Sequence, residues 1–189
     1  MSPQTRGHWI RQGTPPEIIE RLAGFEDEWG GLLLPPSPRY NGGPKFFRSD
    51  VPEPAPGGGW WFEAGDQRAS VPYGFMVGPG DEFGILGLGD RWVALHASVA
   101  GWVEAVALAY HVRFWAANVT TVTGAAVDGL DLTGLEPVAE VAGLADTWWW
   151  GEDTVVAVHR GEMLALGPPD RQSATVYTGF RDPPVVPDR

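Results

Sequence analysis

Apolar residues at Ile18, Leu22, Phe25 and Trp29 recur at spacings of four, three and four, which places them on one face of a helix. Thr14-Pro15-Pro16-Glu17 supplies a start: Thr14 as cap, Pro15 at the first helical position and Glu17 completing a capping box. Gly30-Gly31 supplies the stop. The preceding residues, 1–13, lack periodicity and are expected to form a flexible arm.

Beyond the helix the pattern breaks. Residues 35–59 hold seven Pro and five Gly, a density that predicts a long surface loop and opposes a helix or central strand. From Gly59 to Leu95, short apolar runs (WWFE, YGFMV, FGIL, RWVAL) alternate with turn residues and predict an antiparallel meander of three or four strands. GPGDEFG within it has the wrong spacing for a nucleotide-binding loop and is explained by a hairpin turn. Ser98 then caps a helix over about 99–116, apolar on most sides and so expected to lie flat on the sheet.

After Asn118 a second section begins. A short helix is expected at 133–145, against which Pro137 argues. The runs TWWW, TVVAV, EMLAL and ATVYTGF predict four more strands, with Arg160-Gly161 as a hairpin between the middle pair. The tail from residue 181 reads as flexible. The expectation is an α+β protein: an antiparallel-rich sheet, an N-terminal amphipathic helix and a central apolar helix packed on it, and a C-terminal β-meander extension.

Charge changes the picture of partners. The formal net charge is −11 over 189 residues, which disfavours nucleic acid, because binding phosphates takes a basic face. Between Arg113 and Arg160 there is no Lys or Arg, while seven acids fall there: Asp128, Asp131, Glu136, Glu140, Asp146, Glu152 and Asp153. Such a run predicts a negative surface, serving either solubility or a partner. With no cysteine, disulfides and thiolate chemistry are excluded. No charged start leads into an apolar run, and no apolar stretch is long enough to span a bilayer, so a soluble cytoplasmic protein is expected.

The segments FEDEWGGLLLPP (25–36), FMVGPGDEFGILGLGDRWVAL (75–95) and HASVAGWVEAVAL (96–108) resemble, in that order, the SUKH superfamily. This group includes a yeast cell-wall-synthesis regulator and many bacterial immunity proteins. The likeness spans about residues 14–116 and rests on turn and core signatures; residues 119–180 have no counterpart in it. It implies a SUKH-like core over 14–118 with an extension over 119–180. It also implies a protein without catalytic residues or cofactor that neutralises a toxin by binding it. Members recognise different toxins through variable surfaces, so no site residue carries over.

Candidate chemistry is thin. None of the four histidines forms a two-residue metal motif; a His96–Glu104–His111 set is conceivable, but a hydrogen-bonded histidine is the commoner arrangement. Ser98 lacks a nucleophile elbow. Asp81-Glu82 and Glu152-Asp153 are acid pairs in turns, the basis of a third reading as a hydrolase. Trp29, Trp92 and Trp102 fall at periodic positions and are expected in the core. In a strand, Trp148 and Trp150 share one face and Trp149 takes the other. The partner-binding candidates are therefore Asp128, Asp131, Asp146, Trp149, Trp150, Glu152, Asp153, Trp60 and Trp61. The leading expectation is a non-enzymatic immunity protein that binds a basic toxin domain without nucleic acid, membrane or metal. The alternative is a carbohydrate- or small-ligand-binding module using exposed tryptophans.

Overall fold

A computed structural model describes residues 3–141 and 143–180. The chain is α+β, with two five-stranded antiparallel sheets. The first has the order β1 (Pro44–Pro54), β2 (Trp60–Gln67), β3 (Tyr73–Val77), β4 (Phe83–Gly87) and β5 (Arg91–His96). In the second the order is β6 (Ala116–Thr123), β10 (Ser173–Phe180), β9 (Thr154–His159), β8 (Asp146–Trp150) and β7 (Glu136–Pro137). The described residues also form α1 (Pro3–Arg11), α2 (Pro16–Trp29), α3 (Val99–Trp115) and α4 (Gly161–Leu166). Among the described residues no helix is long and apolar enough to cross a membrane.

The periodic face of α2 buries Ile18, Leu22 and Phe25 against the first sheet, with Trp29 half-buried at its end. The expected capping box does not form. Pro16, not Pro15, takes the first helical position, and Thr14 is buried ahead of it. The expected flexible arm is also corrected: residues 3–11 are helical, and Trp9 docks α1 on the first core.

Phe25, Phe47, Phe62, Phe75, Phe83 and Trp102 make that core an aromatic cluster. Phe75 and Phe83 stack with centroids 6.1 Å apart, and Phe83 meets Trp102 at 5.0 Å. Trp102 is buried as expected, while Trp92 is only half-buried. The GPGDEFG turn joins β3 to β4, with the Gly78 N–H donating to the Glu82 carbonyl at 2.8 Å.

A further correction is β1, which runs through the Pro/Gly-rich stretch expected to be loop. Its proline content is tolerated because it is an edge strand. Its pairing with β2 is irregular in three places, and Val51 adopts φ 29°.

Ser98 does cap α3, its hydroxyl accepting from the Gly101 N–H at 3.1 Å. The apolar surface of α3 serves two cores at once. Val99, Trp102 and Val106 enter the first, while Ala105, Ala109 and Val112 face Trp148, Val155 and Tyr177 of the second sheet. The opposite face of that sheet is covered by the connection between β6 and β8, through Val127, Leu130, Leu132 and Leu135.

The structure differs from expectation in two further places. The described residues of 133–145 give β7 and a 3-10 turn, Ala139–Val141, in place of the expected helix. The run EMLAL is helix α4, not a strand, so Arg160-Gly161 is a helix start rather than a hairpin. α4 packs back on the first sheet through Ala165, so the extension is interlocked with the core it follows. The expected tail from residue 181 lies outside the described residues.

Candidate functional site

The two sheets meet where β5 ends. His96 bridges to Gly143, just ahead of β8, and a buried polar network occupies the join. Asp146, at the first position of β8, is 1% exposed. The register of the β8–β9 hairpin sets it opposite His159, whose Nδ1 lies 3.2 Å from its Oδ2. Tyr40 reaches it from the glycine-rich loop, with Oη 2.8 and 2.7 Å from the two carboxylate oxygens. The Arg160 N–H donates to Oδ1 at 3.1 Å, and the Gly161 N–H approaches at 3.4 Å.

Local backbone geometry makes this convergence possible. Tyr40, Asn41, Gly42 and Gly43 form a run of four positive-φ residues that turns the loop inward and brings the Tyr40 ring under Asp146. A Cβ at position 161 would lie 2.4 Å from Tyr40 Oη and 2.2 Å from Leu95, so glycine is needed there. One residue on, Glu162 accepts from Tyr73 Oη at 2.8 Å and pairs with Arg39 at 3.4 Å, tying α4 to the first sheet.

Electrostatics fit a network that is satisfied rather than poised. Burial pushes the Asp146 carboxyl up, but the charge and hydrogen bond of His159, then His96 and Tyr40, bring it below its ordinary value. Burial and the Asp146 carboxylate push the Tyr40 phenol well up. Burial lowers His96 to about 4, so its ring is neutral at neutral pH. Its Nδ1 has no hydrogen-bond partner. The void among His96, Asp146, His159, Trp102 and Trp148 is about 20 Å³, room for one water and not for a substrate. These side chains clamp the two halves of the chain together.

The burial of Asp146 corrects its reading as a partner-binding surface acid. Trp61 is corrected likewise, being 4% exposed. The other candidates are dispersed. Trp60 is half-buried against the first core, and its carbonyl accepts from Arg21 at 2.8 Å. Asp128 is exposed and held by Gln172 at 3.0 Å and Arg160 at 3.1 Å, while Asp131 caps the Thr133 N–H at 2.9 Å. The triple tryptophan alternates as the strand geometry requires. Trp148 is buried towards α3, and Trp149 lies half-buried on the opposite face with Nε1 3.2 Å from the Thr147 hydroxyl. Trp150 emerges at the rim, 37% exposed.

Of the candidates, Trp150 lines an apolar groove of about 270 Å³, while Glu152 and Asp153 lie in the turn that follows it, Asp153 accepting from the Phe180 N–H at 2.9 Å. Leu108 and Val112 of α3 form one wall; Pro137, Val138, Ala139 and Val155 form the rest. Glu140 stands in its lining, Glu136 sits directly across from Trp150, and Glu152 and Asp153 follow Trp150 in the next turn. All four carboxylates belong to exposed residues. Sequence reasoning missed the walls: α3 was read as facing one sheet, and the 137–139 segment as part of a helix.

A second depression, of about 370 Å³, lies beside Arg39, Asn41, Arg171 and Ser173. Two arginines there are matched by Glu162 and Asp170, so its lining carries no net charge to select a ligand. Among the described residues no group of three or more His, Asp or Glu is placed to hold a metal. Comparison with family models, curated proteins and solved structures finds no match for this chain.

Proposed function

We propose that this is a non-enzymatic, cytoplasmic immunity protein of SUKH type, which neutralises a toxin by binding it at the Trp150 groove. The observation that carries the reading is the coincidence of an exposed tryptophan and an aliphatic trough with Glu140 in its lining and Glu136 across from Trp150. Tryptophan is among the residues enriched at binding hot spots, and like charges beside it steer an oppositely charged partner. The acidic stretch supports this further. With Asp146 buried, its other six acids are all exposed, and no Lys or Arg interrupts them in sequence. The partner that fits is a basic protein domain presenting an apolar side chain.

The sugar-binding reading has less support. Of the four candidate tryptophans, Trp61 is buried and Trp60 and Trp149 are half-buried, which leaves Trp150 without a second exposed ring among them to form a stacking pair.

The test is paired capture followed by neutralisation. Wild type and Trp150→Ala are used as baits in lysate of the source cell. A basic toxin domain recovered by the wild type alone, and rendered harmless when co-expressed with the wild type but not with the variant, supports the reading. Equal neutralisation by both proteins removes the groove from it.

A further inference from the structure

We propose that the outer edge of β6 is a dimerisation surface, on which a second copy of this chain adds its own β6 antiparallel to form a continuous ten-stranded sheet.

The two sheets have four edge strands, β1, β5, β6 and β7; β1 and β5 are covered or guarded, and β7 is only two residues long and contains Pro137. The outer side of β1 is partly covered by the segment at 31–34, through the Leu33–Phe46 bridge and the Leu34 N–H to Lys45 carbonyl bond at 3.1 Å. The rest of β1 is guarded by Pro52, Pro54, Arg48 and Asp50, three irregularities of register and the strained Val51. β5 is covered by α4 and by the Gly143 bridge. β8 is covered by the short β7 and by the Val138 N–H, which donates to the Trp148 carbonyl at 2.9 Å.

β6 has none of these devices. Its eight residues, AANVTTVT, contain no charge, no proline and no glycine. Its pairing with β10 runs from Thr123 to Ala116 without a bulge. Positions 117–121 and 123 are exposed, and among the described residues no strand lies on its outer side. Folded proteins ordinarily mark such an edge with charge, proline or a bulge, because unpaired N–H and C=O groups invite another strand. This chain applies those marks to β1 and omits them from β6.

The strand also suits itself as a partner. An antiparallel pair related by a two-fold axis through the sheet matches residues of equal parity. Centred on Thr121, it sets Thr121 against its own copy, Thr120 against Val122 and Val119 against Thr123. Every one of these pairs is β-branched against β-branched, a favourable cross-strand combination. Phe114 and Trp115 immediately precede the strand and are exposed at 79% and 42%, extending the apolar surface available to the copy.

The net charge of −11 on each copy opposes association over long range, and salt removes that opposition. Dimerisation should therefore tighten with salt, the reverse of the behaviour expected for capture of a basic partner at the Trp150 groove. The two surfaces are thus tested independently.

Sedimentation velocity on the full chain decides. The wild type should dimerise, with an affinity that rises between about 50 and about 500 mM sodium chloride. Thr121→Lys sets two ammonium groups opposite each other on the two-fold axis and should weaken the dimer at least roughly tenfold. Thr121→Val, which stays β-branched, should leave it intact. A wild type that remains monomeric up to roughly 100 µM, or a dimer indifferent to Thr121→Lys, overturns the proposal. Hydrogen exchange on the wild type covers the case in which the lysine variant misfolds. Alternate β6 amides should become protected as protein concentration rises, and β6 amides that stay open at every concentration overturn it too.

Discussion

The two sheets each have five antiparallel strands, the first a meander of consecutive strands and the second with β10 inserted between β6 and β9, and they are filled by different means. The first closes on eight buried aromatic side chains that meet edge-to-face, stacked or tilted, with α2 and α3 over it. In the second, Val155 and Ala157 join the Trp148–Tyr177 pair under α3, while Val156, Val158 and Ala174 face only a connecting segment on the other side, so fewer rings are buried there. Aromatic burial removes far more apolar area per residue than valine or alanine burial does. The first sheet is therefore the more heavily packed half, and the second, held to it by α3, α4 and the Asp146 network, carries the exposed acidic stretch.

The largest effects should separate the two halves. Phe83→Ala should cost about 4 kcal/mol, as expected for a fully buried ring, whereas Val156→Ala should cost about 2 kcal/mol. Chemical denaturation measures both, and equal losses would break the contrast. The join comes next. Asp146→Ala leaves Tyr40 Oη and two backbone N–H groups unpaired in a buried site and should cost about 3 kcal/mol. Differential scanning calorimetry should then show the single transition resolving into two, as the second sheet separates from the first.

The pH dependence sharpens the same join. His96 titrates at about 4 when folded and near its ordinary value when unfolded, so the unfolded chain binds more protons between these limits. Its contribution is fully present above about pH 6.5 and is lost as pH falls to about 4. Asp146, also lowered, adds a loss at more acidic pH, as the carboxylate is protonated below its unfolded value. Denaturation midpoints across pH 4–7 should therefore fall towards acid, and His96→Gln should flatten the slope in the upper part of that window. The smallest effect on stability belongs to the groove. Trp150→Ala should cost under about 1 kcal/mol, because the ring sits at the rim.

How much of this the sequence displayed depends on how local each feature is. α2, α3 and the strands β2–β5 follow from periodicity and turn residues within a few positions of each other. β1 was hidden because Pro52 and Pro54 oppose a strand in general, while an edge strand accepts them. α4 was hidden because four apolar residues in a row carry no decisive period, and its glycine is dictated by Tyr40 and Leu95 from distant parts of the chain. Asp146 was counted as surface because it sits in an acidic run. One signal pointed elsewhere: a hairpin turning at Gly151–Asp153 pairs residue 146 with residue 159, a histidine. The groove was legible only in part. Trp150 and its neighbouring acids stand out along the chain, whereas its walls come from α3 and from residues 137–139, assembled by folding.

The central claim is that the acidic Trp150 groove, and not the buried network, is the surface that acts. The most direct measurement is the association rate of the captured partner with wild type and with Glu136→Gln/Glu140→Gln, followed as salt rises from about 50 to about 500 mM. The account predicts a fast, steeply salt-dependent rate for the wild type and a slower, flatter one for the variant. A rate that is indifferent to salt and to both carboxylates would contradict it.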